Sequence, residues 1–319
     1  MERDLQRVEE QLASSVLVTD PYLSEIAGHL IAAGGKRVRP GFAIAAASAA
    51  NNSPIAATPE VISGAVSVEL VHIGSLYHDD VMDDAEVRRT VDSVNARWGN
   101  LTAILAGDFL LARASELAAS LGTEVAGLLA STIARLCEGQ ILELKDLFNV
   151  ERSEELYLES VDGKTASLLA TACRIGGIVA ELERDQIETL TVFGHAYGMA
   201  FQIVDDILDI IATADQLGKP AGNDLIEGCY TLPVIRTLQS DQCTDLAHLL
   251  GEPLDTSTRD KVRDIVRAGP GIASALDDAR RFANQASAAI EPLQGTQAHT
   301  ALGTAAAHLL DQRHTVDTV

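Results

Sequence analysis
The chain has 319 residues, 47% of them hydrophobic and only 4% aromatic, with a formal charge of −22. Such an excess of carboxylate argues against nucleic acid or anionic lipid as a partner, while an apolar, Ala- and Leu-rich composition suits a helical bundle. No apolar run is expected to cross a bilayer, the charged start Met1–Glu10 has no signal-peptide core, and no linker divides the chain, so residues 1–319 are read as one cytoplasmic domain.

Asp4–Leu17 has helical spacing, and Thr19-Asp20-Pro21 opens a second helix, with a capping residue and Pro in the first turn. That helix stops at Gly34-Gly35. Lys36-Arg37-Val38-Arg39 follows, and a third helix starts near Pro40. Asn51–Thr58 is a turn, and Thr58-Pro59-Glu60 opens the long helix of the first acidic motif. A loop after Arg89 leads to helices over Leu101–Leu121, Val125–Leu147 and Glu151–Val161. Gly163-Lys164-Thr165 then introduces an apolar helix, Ala166–Gly176. Arg184–Ala212 is the longest helix. Leu217–Tyr230 is a Gly-, Pro- and Asn-containing loop, and weaker helical segments fill the remainder. No strand-like alternation persists, which predicts an all-α fold. Cys137, Cys173, Cys229 and Cys243 form no Cys-x-x-Cys pair and read as reduced thiols.

The first acidic motif is Asp79-Asp80-Val81-Met82-Asp83-Asp84. Between Val61 and His78 the only acidic or basic residue besides histidine is Glu69. On a helix Asp79 and Asp83 share a face, and Asp80 and Asp84 form a second pair about 100° away. Asp205-Asp206-Ile207-Leu208-Asp209 repeats the spacing after a run, Thr189–Val204, with no Asp, Glu, Lys or Arg. A solvated face would mix charges throughout. Two acidic patches set into apolar helices read instead as two walls of one metal site. Mg2+ fits, because it takes hard oxygen ligands and shares itself with substrate phosphates.

Of five lysines, Lys36, Lys164 and Lys219 each directly follow a glycine at a helix boundary. Glycine lets backbone approach a ligand, and the lysine beside it brings a compact charge to phosphate. Arg37, Arg39, Arg88 and Arg89 add guanidinium forks suited to diphosphate. Helix-end cations answering the macrodipole would explain one of these, but not all in so acidic a chain. Acidic motifs with basic loops point to a diphosphate ester bridged through magnesium.

These residues, with Glu69-Leu70-Val71-His72, Gly107-Asp108-Phe109-Leu110, Glu138-Gly139-Gln140 and Gly218–Leu225 in the same order, resemble the trans-isoprenyl diphosphate synthases of the polyprenyl synthetase family. The resemblance implies a single domain of antiparallel helices around a central cavity, a homodimer, and condensation of an allylic diphosphate with isopentenyl diphosphate. It implies that Asp79, Asp83 and Asp205 hold magnesium, with Asp80, Asp206 and Asp209 in support. Arg88, Lys164, Gln202 and Lys219 would contact the allylic substrate, with Thr165 beside them. Lys36, Arg39, His72 and Arg89 would bind isopentenyl diphosphate. Cys229 stands where many members carry a lysine, which puts one cation at the leaving group in doubt.

Upstream of Asp79 the growing tail would pass Gly74 and Ser75. In the family, aromatic residues there look like a floor, so these small residues favour a hexa- to decaprenyl product of the kind used for a quinone side chain. A short-chain farnesyl or geranylgeranyl product is the alternative, and helix packing is the other reason for a glycine at position 74. A class I terpene cyclase would differ in its second motif, and a non-catalytic subunit would be expected to lose one. Glu69-x-x-His72 has the spacing of a di-iron bundle, but no second copy exists. The lesser alternative for His72 is a packed helix residue; His78 reads as a hydrogen-bonding support or simply a helix residue, and His195 as a structural residue.

Overall fold
The expected helices form. In the computed structural model they hold 78% of the described residues, which are 1–50, 56–213, 221–240 and 243–311. Lys219 and most of the Asn51–Thr58 turn lie outside the described residues. The elements that carry candidate residues are α1 Glu2–Ser15, α2 Pro21–Ala32, α3 Val38–Ala47, α4 Pro59–Met82, α5 Val94–Trp98, α6 Asn100–Ser120, α7 Thr123–Lys145, α8 Glu154–Val161, α9 Ser167–Val179 and α10 Arg184–Ile211. Downstream run α11 Asn223–Glu227, α12 Leu232–Leu238, α13 Cys243–Ala247, α14 Thr256–Ala268, α15 Gly271–Ala289 and α16 Gln297–Asp311.

The start signals work as their chemistry requires. The Asp20 carboxylate accepts from Tyr22 N at 2.9 Å, and Thr58 Oγ1 accepts from Val61 N at 3.3 Å, each ahead of a Pro in the first turn. The fold is all-α, and two local features go beyond what the sequence predicts. Val87–Arg88 and Val91–Asp92 pair as a minimal antiparallel hairpin, turned by Arg89 and Thr90 at φ 53° and 66°. A two-residue turn with both residues left-handed matches strand twist, and four residues are too few to betray alternation. Also, α7 is 23 residues long and passes for a membrane span by length and composition, although no such segment was expected.

The chain divides into two compact units. The first comprises Met1–Ala134, Leu168–Gly194 and Ile290–Leu302; the second comprises Arg135–Ser167, His195–Ala289 and Gly303–Val319. In the first, α4 is buried along almost its whole length. Against it α6 turns a row of small residues, Ala103, Ala106, Gly107, Ala114 and Ala118. A Cβ on Gly107 would lie 3.1 Å from the Gly74 carbonyl, and one on Gly74 3.1 Å from the Gly107 carbonyl. The helices therefore cross at backbone distance. Tyr77 ties α4 to α2, its buried hydroxyl donating to Ile26 O at 2.8 Å.

In the second unit, Tyr157, Ile203, Ile207, Leu225 and Tyr230 are buried, as are Val262 and Val266 of α14. Arg236 joins three elements by bonding Glu154, the Ser274 carbonyl and Asp278. Between α8 and α9 lies a π-helical turn, Asp162–Ala166. Such turns are rare and collect at functional sites. This one carries Lys164 and Thr165.

Candidate active site
In the first unit the acidic motif closes α4. Asp83 is the cap residue, its N–H bonding Asp79 O at 2.9 Å, and Asp84 follows at φ 48°. Asp79 is half-buried and Asp83 exposed. The expected Asp80–Asp84 pair does not form, because the helix has ended before Asp84. Asp80 is fully buried instead and accepts from Arg88 Nε at 2.6 Å, with Nη2 at the same distance. Burial raises the Asp80 pKa and Arg88 opposes the shift. Arg88, expected at the allylic substrate, thus first neutralises an interior carboxylate.

The basic residues separate by role. Arg37, placed among the diphosphate forks by its sequence position, is buried. It bonds Glu9 Oε1 and Oε2 at 2.6 and 3.0 Å, Glu69 Oε1 at 2.9 Å and Ile31 O at 3.1 Å. Its φ of 46° sets the turn that leaves Lys36 exposed just ahead of α3. Arg89 donates to the carbonyls of Leu30 (3.0 Å) and Gly34, and a Cβ on Gly35 would meet its guanidinium at 3.1 Å. Gly35 is therefore small to admit Arg89. The Nε of Arg39 is buried without a partner, an atom left for an anion or water to satisfy. His72 shares this basic cluster. Burial first, then Arg39, Arg89, Arg37 and Arg88, hold its pKa well below the usual value, so the ring is neutral at pH 7. Four non-glycine residues of this region, Arg37, Asp84, Arg89 and Thr90, have positive φ. Strain of this kind, about 1–3 kcal/mol each, gathers at functional sites.

Gly74 is occupied by packing, since α6 faces it at backbone distance. Helix crossing accounts for its size, and only Ser75, half-buried with its hydroxyl on His72 O at 2.9 Å, keeps room for a chain-length role. His78 bonds Ile104 O at 3.1 Å and lies 3.5 Å from Asp108, a support between α4 and α6.

In the second unit Asp205 is exposed, while Asp206 and Asp209 are each 4% exposed. Asp206 accepts from Tyr157 Oη at 2.5 Å and Gln202 Nε2 at 2.8 Å, and Gln202 Oε1 accepts from Thr165 Oγ1 at 2.8 Å. Burial raises the Asp206 pKa, while these two hydrogen bonds oppose it. Asp209, expected beside the metal, turns to the following loop: its Oδ2 accepts from Asp224 N at 3.3 Å and its carbonyl from Gly222 N at 2.9 Å. Arg263 and Arg267 donate to the carbonyls of Ile210, Ile211 and Ala212, closing the end of α10. Lys164 Nζ pairs with Glu143 Oε1 at 2.5 Å. Arg152 Nη1 lies 3.6 Å from Cys229 Sγ. Burial, Glu143 and Asp224 raise the Cys229 thiol well above its usual range, so it is neutral. His195 bonds Asp162 at the head of the π-turn, in keeping with a structural role.

Each motif sits at a helix C-terminus with no basic residue in the last turn. That end carries roughly half a negative charge, which Arg263 and Arg267 answer at the α10 carbonyls, while Asp79, Asp83 and Asp205 add carboxylate charge that favours a cation. Exposed, hard oxygen donors fit Mg2+, which usually binds one or two carboxylates together with substrate phosphates. Among the described residues no three His, Cys, Asp or Glu side chains already form a metal cage.

The sequence model of the family described as polyprenyl synthetase matches residues 20–268. The chain belongs to that family. This polyprenyl synthetase is 42% identical over 285 residues to the nonaprenyl diphosphate synthase of Mycobacterium tuberculosis, covering 88% of this chain and 84% of the relative. It superposes with a TM-score of 0.91 on a polyprenyl synthase from Caulobacter crescentus complexed with calcium and isoprenyl diphosphate, at 30% identity over 97% of this chain and 94% of that one. For the geranylgeranyl pyrophosphate synthase of Corynebacterium glutamicum, also with calcium and isoprenyl diphosphate, the TM-score is 0.83 at 37% identity, covering 98% and 95% of the two chains.

Sequence reasoning missed Tyr157 and Glu143. Glu143 had a signal: it lies one turn beyond Gly139, whose added Cβ would sit 2.6 Å from Lys164 N, so both face the π-turn. Nothing in the local pattern marks Tyr157.

Proposed function
We propose that this polyprenyl synthetase, acting as one domain, is a trans-prenyltransferase. It joins an allylic diphosphate to isopentenyl diphosphate and makes a long, hexa- to decaprenyl product suited to a quinone side chain. The observation that carries the reading is the pair of Asp-Asp-x-x-Asp motifs at helix C-termini, each with exposed or half-buried carboxylates, beside two separate sets of cations. Asp79, Asp83 and Asp205 would hold magnesium, with Asp80 and Asp206 as buried carboxyl groups behind them. Bound magnesium would supply Lewis-acid charge for the departing diphosphate. Lys164 leaves Glu143 to bind that diphosphate, supported by Gln202, Thr165 and Lys219. Lys36, Arg39 and Arg89 bind isopentenyl diphosphate beside neutral His72. Ionisation of the allylic ester gives a carbocation, which the isopentenyl double bond attacks before a proton is lost, and the released diphosphate is the base at hand. Cations brought beside the departing diphosphate stabilise its developing charge.

The long product is supported by Ser75 and by identity to the nonaprenyl synthase; a geranylgeranyl synthase among the structural relatives keeps a shorter one as the alternative. A cytoplasmic homodimer completes the proposal. Leu101 and Leu105 on α6 are 80% and 68% exposed, a surface that a second copy would cover. The test is incubation with farnesyl diphosphate, isopentenyl diphosphate and Mg2+, followed by product chromatography. Elongation abolished by EDTA is expected. No elongation, with a known synthase active in the same buffer, contradicts the assignment.

A further inference from the structure
Asp206 is not arranged as a ligand-binding carboxylate. Both its oxygens accept from fixed donors, Tyr157 Oη at 2.5 Å and Gln202 Nε2 at 2.8 Å. Gln202 is itself fixed by Thr165 Oγ1 at 2.8 Å. One hydrogen-bonded chain thus links α8, the π-turn that carries Lys164, and α10. Its anchor is Tyr157, a fully internal ring with the Arg152 guanidinium 5.7 Å from its centroid. Arg152 is held in turn by Tyr230 O at 3.1 Å and Ser160 Oγ at 3.0 Å. Asp205, the next residue, is exposed.

We propose that Tyr157 is a positioning residue for the second acidic motif: its hydroxyl, through Asp206, Gln202 and Thr165, fixes the orientation of Asp205 relative to the turn of Lys164. The inference rests on the second motif holding metal. Positioning groups of this kind matter because ligands must sit within a fraction of an ångström of their working geometry. Tyr157→Phe removes one oxygen and keeps the ring. Tyr230→Phe is the control, an equally buried tyrosine of the same unit whose hydroxyl bonds Gly251 N.

The measurement is Mn2+ binding to the full chain in the presence of inorganic diphosphate, followed by electron paramagnetic resonance, with thermal midpoints recorded alongside. In Tyr157→Phe the half-saturating Mn2+ concentration should rise at least about fivefold, with a midpoint within a few degrees of Tyr230→Phe, whose Mn2+ curve should match wild type. Adding Thr165→Val to Tyr157→Phe should weaken binding little further, because both cut one chain. A Tyr157→Phe curve that overlays wild type, or moves no more than the Tyr230→Phe curve, overturns the proposal. So does the absence of Mn2+ binding by wild type. Failure of wild type to elongate farnesyl diphosphate would instead refute the prenyltransferase reading, and the Mn2+ curves would still decide the role of Tyr157.

Discussion
Gly139→Ala tests whether the π-turn is seated by backbone contact. The added methyl would lie 2.6 Å from Lys164 N, 2.8 Å from Ser160 O and 3.0 Å from Gly163 C. All three are backbone atoms, which cannot rotate away. Ordinary contact begins near 3.4 Å, so α7 and the turn must part by roughly 0.6–0.8 Å. Overpacking of this kind costs about 1–3 kcal/mol, against which alanine recovers about 1 kcal/mol of helix propensity. The net loss is up to about 2 kcal/mol, which lowers Tm by up to roughly 3 °C at about 2.1 cal/mol/K per residue. Lys164 moves with the turn, and a shift approaching 1 Å can reduce kcat/KM by about 100-fold. Calorimetry and steady-state prenyl transfer read the two effects. Gly28→Ala is the control: it is helical, its Cβ would meet only Val16 Cγ2 at 3.8 Å, and it should gain up to about 1 kcal/mol. A Gly139→Ala protein as stable and active as wild type would refute the reasoning.

Ser75→Phe should shorten the product with little loss of Tm, whereas Gly74→Phe should destabilise by about 3 kcal/mol or more, because its ring would enter the α6 backbone; chromatography and melting curves separate the two. Arg37→Met strands buried Glu69 and should cost about 3–5 kcal/mol in a denaturant titration. His72 gives a pH dependence. Below its ordinary pKa the unfolded chain takes up a proton that the folded ring refuses, so folded stability falls as pH drops from about 6.5. The slope is up to about 1.4 kcal/mol per pH unit, and His72→Gln should remove that share; parallel stability–pH curves for the two proteins would contradict it.

Helix starts were legible because Asp20-Pro21 and Thr58-Pro59 carry their own caps, and the acidic motifs because their spacing is local. What spacing could not show is which carboxylate of each pair faces inward. Asp80 and Asp206 both do, each the second residue of its motif, because a 100° step takes it from the exposed side of the helix to the interior. Arg88 and Tyr157 lie elsewhere in sequence, so the partners that make this burial tolerable were invisible. Gly74 shows the same limit: a small residue on a helix admits either a ligand or another helix, and only α6 decides. The basic cluster was legible as a cluster, but the internal engagement of Arg37 depends on Glu9 of α1.

The central claim is that both acidic motifs serve one metal-bound diphosphate. Anomalous diffraction from crystals grown with Mn2+ and inorganic diphosphate tests it most directly. The account predicts metal peaks within about 2.0–2.3 Å of carboxylate oxygens from Asp79 or Asp83 and from Asp205, all on the same diphosphate. Metal confined to one motif, or diphosphate bound away from both, would contradict it.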